Sequence, residues 1–231
     1  MSEILLIHGA CQGAWVWQQV IPALAALGHS ARALDLPGRG ADTTLAAQAR
    51  AVVDALRGQT ILVGHSAGGF AITAAAQMRP DLVAGLIYVC AYVPKPGKSL
   101  ADMRRAGPRQ PLAGSFVVAA DRRTFGFDPA RAPALFFHDC PEAEAATARL
   151  CADSVAVMET ALPDTARAES LPRGYILCTD DRAIPREYQA VMADGIALTE
   201  HLPCGHSPFL AMPERLAASI ARMAGQWGVP V

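Results

Sequence analysis

The stretch Thr60-Ile61-Leu62-Val63-Gly64-His65-Ser66-Ala67-Gly68-Gly69 decides how the rest of this chain is read. Ile61, Leu62 and Val63 are apolar on consecutive, hence opposite, faces, as a central strand covered by helices on both sides requires. Gly64, Ala67, Gly68 and Gly69 then surround Ser66 with small residues, and helical spacing runs from residue 66 to 78, ending ahead of Pro80. A strand that turns sharply into a helix raises one serine hydroxyl at the end of the sheet, with the helix N-terminus facing the reacting group. The bare Gly-x-Ser-x-Gly pattern arises by accident in a chain of this length with a probability of about 0.1. The setting therefore carries the inference of a nucleophile. The bland alternative is a glycine-rich turn with an N-capping serine.

Working outward, short apolar runs at residues 3–7, 30–34, 60–63 and 86–89 alternate with amphipathic stretches at 16–27, 45–56 and 66–78. That alternation is the pattern of βαβ units and a parallel sheet. The rhythm breaks after Tyr92. Residues 93–171 contain eight prolines, little β character and short Ala/Glu/Arg helical patches, which reads as an inserted helical lid rather than a second domain. Core-like segments then resume, with strands at 174–178 and 197–202 and helices at 184–192 and 213–227. The expected fold is α/β: one domain over residues 1–231, with a mostly parallel six-stranded sheet, helices on both faces and a helical cap at about 93–171.

Composition narrows the possible functions. With 52% hydrophobic and 18% charged residues among 231, the chain has ample material for a large core, which excludes disorder. Lys+Arg 20 against Asp+Glu 21 gives a net charge of -1, so there is no field to hold a nucleic acid. No run reaches the roughly 18 apolar residues of a membrane span, and the Met1-Ser2-Glu3 start lacks the basic region of a secretory leader. Six scattered cysteines read as free, buried thiols, and no asparagine exists to accept a glycan. A reducing, cytoplasmic setting is expected. His138, Cys140, His201, Cys204 and His206 match no zinc spacing, and Gly38-Arg39-Gly40 lacks the third glycine of a dinucleotide loop. Neither a metal nor a cofactor is expected.

A serine hydroxyl is a weak nucleophile at neutral pH and needs a histidine base oriented by a carboxylate. Behind a strand-to-helix elbow the chain order is serine, acid, histidine. Three histidines follow Ser66. His206, in the loop Cys204-Gly205-His206-Ser207-Pro208 between the last strand and the final helix, is best placed as the base. His201 reads as a strand residue and His138 as part of the lid, a candidate for lining the pocket. The acid lies in Thr179-Asp180-Asp181, at the C-terminal end of a strand where sites form in open parallel sheets. Both aspartates fit. Oxyanion donors are expected from the amide after the nucleophile, Ala67, and from the loop after the first strand, at Ala10. His8 in that loop precedes the nucleophile and reads as a structural hydrogen-bonding residue. Phe125, Phe127, Phe136 and Phe137 are candidates either for the pocket or for packing.

Leu6-Ile7-His8-Gly9-Ala10-Cys11 with Gly13-Ala14-Trp15, Ala33-Leu34-Asp35-Leu36, Ile61 to Ser66, and Cys178-Thr179-Asp180-Asp181-Arg182-Ala183-Ile184-Pro185 resemble the methylesterase and hydroxynitrile lyase family of the α/β-hydrolase superfamily. The resemblance spans nearly the whole core and is weak in the lid. It implies Asp181 as the acid, His206 as the base, Ala10 and Ala67 as oxyanion donors, and a sheet without the initial antiparallel strands of larger relatives. The lyase branch has Thr at the position of Gly9, Glu at His65 and Lys at Ser207, so the resemblance favours ester hydrolysis. Abundant Ala and Arg, with Lys only at 95 and 98, resembles a bacterial member. The expectation is a serine carboxylesterase, monomeric or homodimeric, acting on a small apolar ester. A lyase or C–C/C–N cleaving enzyme with the same residues, or a ligand-binding protein on this scaffold, are the alternatives.

Overall fold

The computed structural model describes residues 3–227. The chain begins with β1 (Glu3–Ile7), a 3-10 turn (Ala14–Trp17), α1 (Val20–Ala26), β2 (Ser30–Leu34), α2 (Leu45–Asp54), β3 (Thr60–His65), α3 (Gly68–Met78) and β4 (Val83–Val89). It then leaves the sheet through α4 (Leu100–Ala106), β5 (Phe116–Val118), β6 (Thr124–Phe127), α5 (Ala132–Phe136), α6 (Ala143–Ala148), β7 (Asp153–Ser154), α7 (Val155–Glu159) and α8 (Ala166–Glu169). It returns as β8 (Arg173–Cys178), α9 (Arg186–Ala193), β9 (Leu198–Leu202), α10 (Pro208–Ala211) and α11 (Pro213–Gln226).

The main sheet has six strands in the order β2-β1-β3-β4-β8-β9, every pair parallel. Period-two alternation sorts its side chains into two cores. Leu5, Ile7 and Leu62 face α2, α3 and α9, while Ile4, Leu6, Ile61 and Val63 face α1 and α11. The strand order reverses around β1, since β2 lies on one side of it and β3 returns to the other. That reversal parts the loops leaving β1 and β3 and opens a crevice at the strands' C-terminal ends. No helix among the described residues is long and apolar enough to cross a membrane.

Two features differ from the sequence reading. The first predicted helix divides into the 3-10 turn at Ala14–Trp17 and a shorter α1, and α3 begins at Gly68 rather than at Ser66. The insertion carries helices α4 to α8, and its residues also build an unexpected three-stranded antiparallel sheet, β5-β6-β7. Its strands have two to four residues, and β5 and β6 turn aromatic side chains towards a cavity rather than a conventional core. Too few residues alternate there for periodicity to stand out from proline-rich surroundings. The six cysteines are free thiols; Cys11, Cys90, Cys178 and Cys204 are buried, and Cys140 and Cys151 half-buried.

Candidate active site

Ser66 occupies the turn between β3 and α3 with φ at +52°, in the left-handed region that non-glycine residues avoid. Three backbone hydrogen bonds hold it there. Its amide donates to Val89 O (3.2 Å), and its carbonyl accepts from Gly69 N (3.2 Å) and Tyr92 N (3.1 Å). The flanking glycines are required by close approach. A Cβ on Gly68 would stand 2.6 Å from His8 O, and one on Gly69 would stand 2.1 Å from Tyr92 O. The first turn of α3 therefore packs against the backbone of both neighbouring loops, which aims the serine into the crevice.

His206 and Asp181 arrive from two other strand ends, after β9 and β8. His206 Nε2 lies 3.1 Å from Ser66 Oγ, and His206 Nδ1 donates to Asp181 Oδ2 at 2.7 Å. Both the imidazole and the carboxylate are buried. With Nδ1 carrying the proton, Nε2 is free to accept from the serine hydroxyl. Asp181 is fully engaged: Oδ1 accepts from Ala183 N (2.7 Å) and Ile184 N (2.9 Å), and Oδ2 also from Gln189 Nε2 (2.9 Å). Asp180 is exposed and points to no part of this network. Of the two sequence candidates, Asp181 alone meets His206.

The loop after β1 brings Ala10 to the same cavity as Ala67. His8 Nδ1 donates to Gly9 O (2.8 Å) and its Nε2 accepts from Leu36 N (3.0 Å), a structural role that requires the neutral ring. Burial holds the His8 pKa below its ordinary value. Because the peptide is planar and trans, fixing the Gly9 carbonyl turns the Ala10 N–H in the opposite direction. Neither the Ala10 nor the Ala67 amide is engaged in a turn or loop hydrogen bond among the described residues.

Two buried residues without an assigned role in the sequence support the histidine. His65 Nε2 donates to His206 O at 2.8 Å, and burial, then the neighbouring His206, push the His65 pKa well down. Gln189 ties Asp181 to the backbone of Cys178 and Ile184. Its sequence signal was a polar residue on the α9 stripe that also carries Met192 and Ala193, all three buried. Ligand-type atoms of His65, Cys90 and His206 lie within 4.8 Å of one another. Both His206 nitrogens and His65 Nε2 already serve in the hydrogen bonds above, which leaves only His65 Nδ1 and Cys90 Sγ of this group for an ion.

Above Ser66 and His206 lies a cavity of about 250 Å³. Its walls are apolar, with Leu100, Leu112, Met158 and Ile184 among them, and Arg104, Arg105 and Glu159 also border it. Phe116, Phe125, Phe127 and Phe136 form a continuous set of edge-on and tilted ring contacts that ends 5.7 Å from the His206 ring. Of the two roles open to Phe137, packing is the one it takes: it is fully buried beside Phe136 and is not among the cavity residues. His138 is corrected: it packs behind Gly205 and is not among the cavity residues. His201 is an exposed strand residue.

Residues 4–219 match the profile described as the alpha/beta hydrolase family. The chain belongs to the α/β hydrolase family. Among curated relatives, this α/β hydrolase is 35% identical to a pyrethroid hydrolase of Sphingobium wenxiniae, over 97% of this chain and 88% of the relative. It is 27% identical to salicylic acid-binding protein 2 of Nicotiana tabacum, over 98% of each. The crystal structure of a pyrethroid hydrolase from Sphingobium faniae superposes with a TM-score of 0.87 at 32% identity, covering 97% of both chains. Methylesterases of Arabidopsis thaliana are also matched along nearly their full length. The α/β hydrolase is thus a methylesterase-like, ester-cleaving enzyme in its family placement.

Proposed function

We propose that this α/β hydrolase is a serine carboxylesterase in which Ser66, His206 and Asp181 cleave a small, largely apolar carboxylic ester through an acyl-enzyme. The observation that carries the reading is the chain of hydrogen bonds from Ser66 Oγ through the His206 ring to Asp181, at 3.1 and 2.7 Å, on the floor of an apolar cavity. His206 Nε2 takes the hydroxyl proton as Ser66 Oγ bonds to the ester carbon. The oxyanion so formed accepts from the Ala10 and Ala67 amides. His206 returns the proton to the departing alkoxide as the C–O bond breaks; it then takes a proton from the water that attacks the acyl carbon and passes it to Ser66 Oγ as the acyl–serine bond breaks and the acid leaves. Asp181 stabilises the imidazolium without taking its proton.

The largely apolar walls favour a largely apolar substrate; of the charged residues that border the cavity, Arg105 and Glu159 pair with each other and Arg104 lies over the Phe116 ring. Residues of about 93–171 serve in this reading as the cap of a single catalytic unit, because the cavity is lined by them on one side and by the sheet loops on the other. Free thiols agree with action in the cytoplasm. The test is turnover of short p-nitrophenyl esters together with labelling by a fluorophosphonate. The expected result is labelling of Ser66 and loss of both signals in Ser66→Ala. Full turnover by Ser66→Ala, or tight ligand capture without hydrolysis by the native chain, would overturn the reading.

A further inference from the structure

We propose that Asp153, a residue of the insertion, is a positioning residue for the oxyanion-binding amide of Ala10. The inference rests on the esterase reading above. An amide that must meet a charge present only in the transition state gains most when its peptide plane is held in advance by other groups. Three successive peptides of this loop are held. The Gly9–Ala10 peptide is held at its carbonyl by His8 (2.8 Å). The Ala10–Cys11 peptide is held at its N–H, where Cys11 N donates to Asp153 Oδ2 at 3.1 Å. The next is held at the Cys11 carbonyl, which accepts from Cys151 N at 2.9 Å.

The last two of these contacts come from one short segment, residues 151–154, with the Asp153 contact spanning 142 positions in sequence. Cys11 has φ at +61°, a conformation that costs a non-glycine residue roughly 1–2 kcal/mol; within the loop Gln12 N donates to Gly9 O (3.4 Å) and Gly9 N to Gln12 Oε1 (3.3 Å), and the contacts from residues 151–154 add to these in holding the strained turn. The segment is in turn fastened to the loop after β2. Gly40 N donates to Ala152 O (2.6 Å), and the single Ser154 Oγ proton is shared between Asp42 Oδ1 (2.9 Å) and Thr43 O (2.8 Å). Asp153 Oδ1 accepts from Ser154 N at 2.7 Å, so both carboxylate oxygens serve backbone amides.

Asp153 is buried and, among the described residues, pairs with no Lys or Arg. A carboxylate placed so is costly for folding, and its desolvation pushes its pKa up. The insertion grips the histidine loop by the same chemistry: Asp139 Oδ2 accepts from Gly205 N, beside His206, at 2.6 Å. The oxyanion loop and the base loop are therefore both tied to the insertion through a carboxylate and a main-chain amide.

The test compares Asp153→Ala and Asp153→Asn with the native enzyme, each checked for folding by circular dichroism. Three quantities are read: kcat/KM for an ester, the affinity of a trifluoromethyl ketone that forms a hemiketal with Ser66, and the affinity of the matching ether, which has no carbonyl. In Asp153→Ala, kcat/KM and ketone affinity are expected to fall in parallel, by on the order of 10- to 100-fold, as small misplacements of a catalytic group do. Asp153→Asn keeps one acceptor oxygen and is expected to lose less, and ether affinity stays within about twofold in both. Unchanged kcat/KM in folded Asp153→Ala, or an equal loss of ether affinity, overturns the proposal. If Asp153→Ala does not fold, the same criteria are applied to Asp153→Asn. Ser66→Ala run alongside separates the two readings: residual turnover there sinks the esterase mechanism, whereas an inactive Ser66→Ala beside a native-like Asp153→Ala sinks this inference alone.

Discussion

Gln189 Nε2 donates to Asp181 Oδ2 at 2.9 Å, on the same oxygen that accepts from His206 Nδ1 at 2.7 Å. The glutamine thus sets the direction from which the carboxylate meets the ring. Gln189 is fully buried, and its Oε1 also accepts from Cys178 N at 3.1 Å. Gln189→Leu removes this frame while keeping similar bulk. Each buried polar group left without a partner costs about 1–3 kcal/mol. Loss of a supporting hydrogen bond to a functional side chain commonly costs about 10- to 100-fold in activity. Urea unfolding and kcat should therefore both move; a variant with native stability and native kcat would show that Asp181 holds itself.

The two neighbouring aspartates should separate cleanly. Asp181→Asn places an amide against His206 Nδ1 and favours the wrong tautomer, with an expected loss of kcat on the order of 10⁴-fold. Asp180→Ala alters an exposed side chain and should leave kcat within about twofold. Steady-state kinetics on one ester suffices to compare them.

Glycines at two helix positions should respond in opposite directions. At Gly69 an added Cβ meets Tyr92 O at 2.1 Å, a backbone atom that cannot yield without shifting the loop after β4, so Gly69→Ala should express as an unfolded or strongly destabilised chain. At Gly225, exposed near the end of α11, nothing lies within 4 Å of the added carbon. Gly225→Ala should stabilise the protein by about 0.5–1 kcal/mol, through higher helix propensity and a less flexible unfolded chain. Thermal melts read both.

Stability should fall on mild acidification. His8 and His65 are buried and held neutral, their folded-state pKa values lying below the unfolded value of about 6.5. Below that pH the unfolded chain binds protons that the folded one refuses, so the stability present above about pH 6.5 is lost as pH drops. Each histidine contributes a slope of up to about 1.4 kcal/mol per pH unit. Asp153, whose carboxyl is raised by burial, acts in the opposite direction at lower pH, because there the folded state binds its proton first. Urea unfolding at pH 7.5 and 5.5 checks the sign; greater stability at the lower pH would contradict it.

Much of the site could be read along the chain because its parts are local. The elbow is encoded by a handful of consecutive small residues around Ser66, and β3 and α3 by the apolar pattern on either side. His206 could be chosen by its loop, and Ala10 by its place after the first strand. The cap was less legible. Its β5 and β6 strands are three and four residues long, and their phenylalanines serve a cavity instead of the alternating face of a large sheet.

By itself the sequence determined the order and kind of the core elements, the strained serine turn and the near-zero net charge, since each depends on residues close together in the chain or on composition. Tertiary structure decided everything that depends on burial or on distant partners. Asp180 and Asp181 are adjacent and chemically alike, yet only Asp181 is turned inward beneath His206. Phe136 reaches the cavity while Phe137 packs away from it. Gln189 shows locally only as a polar residue on an apolar helix stripe and Asp153 not at all, because a buried polar side chain is defined by the group it satisfies, and that group stands eight residues away for one and 142 for the other.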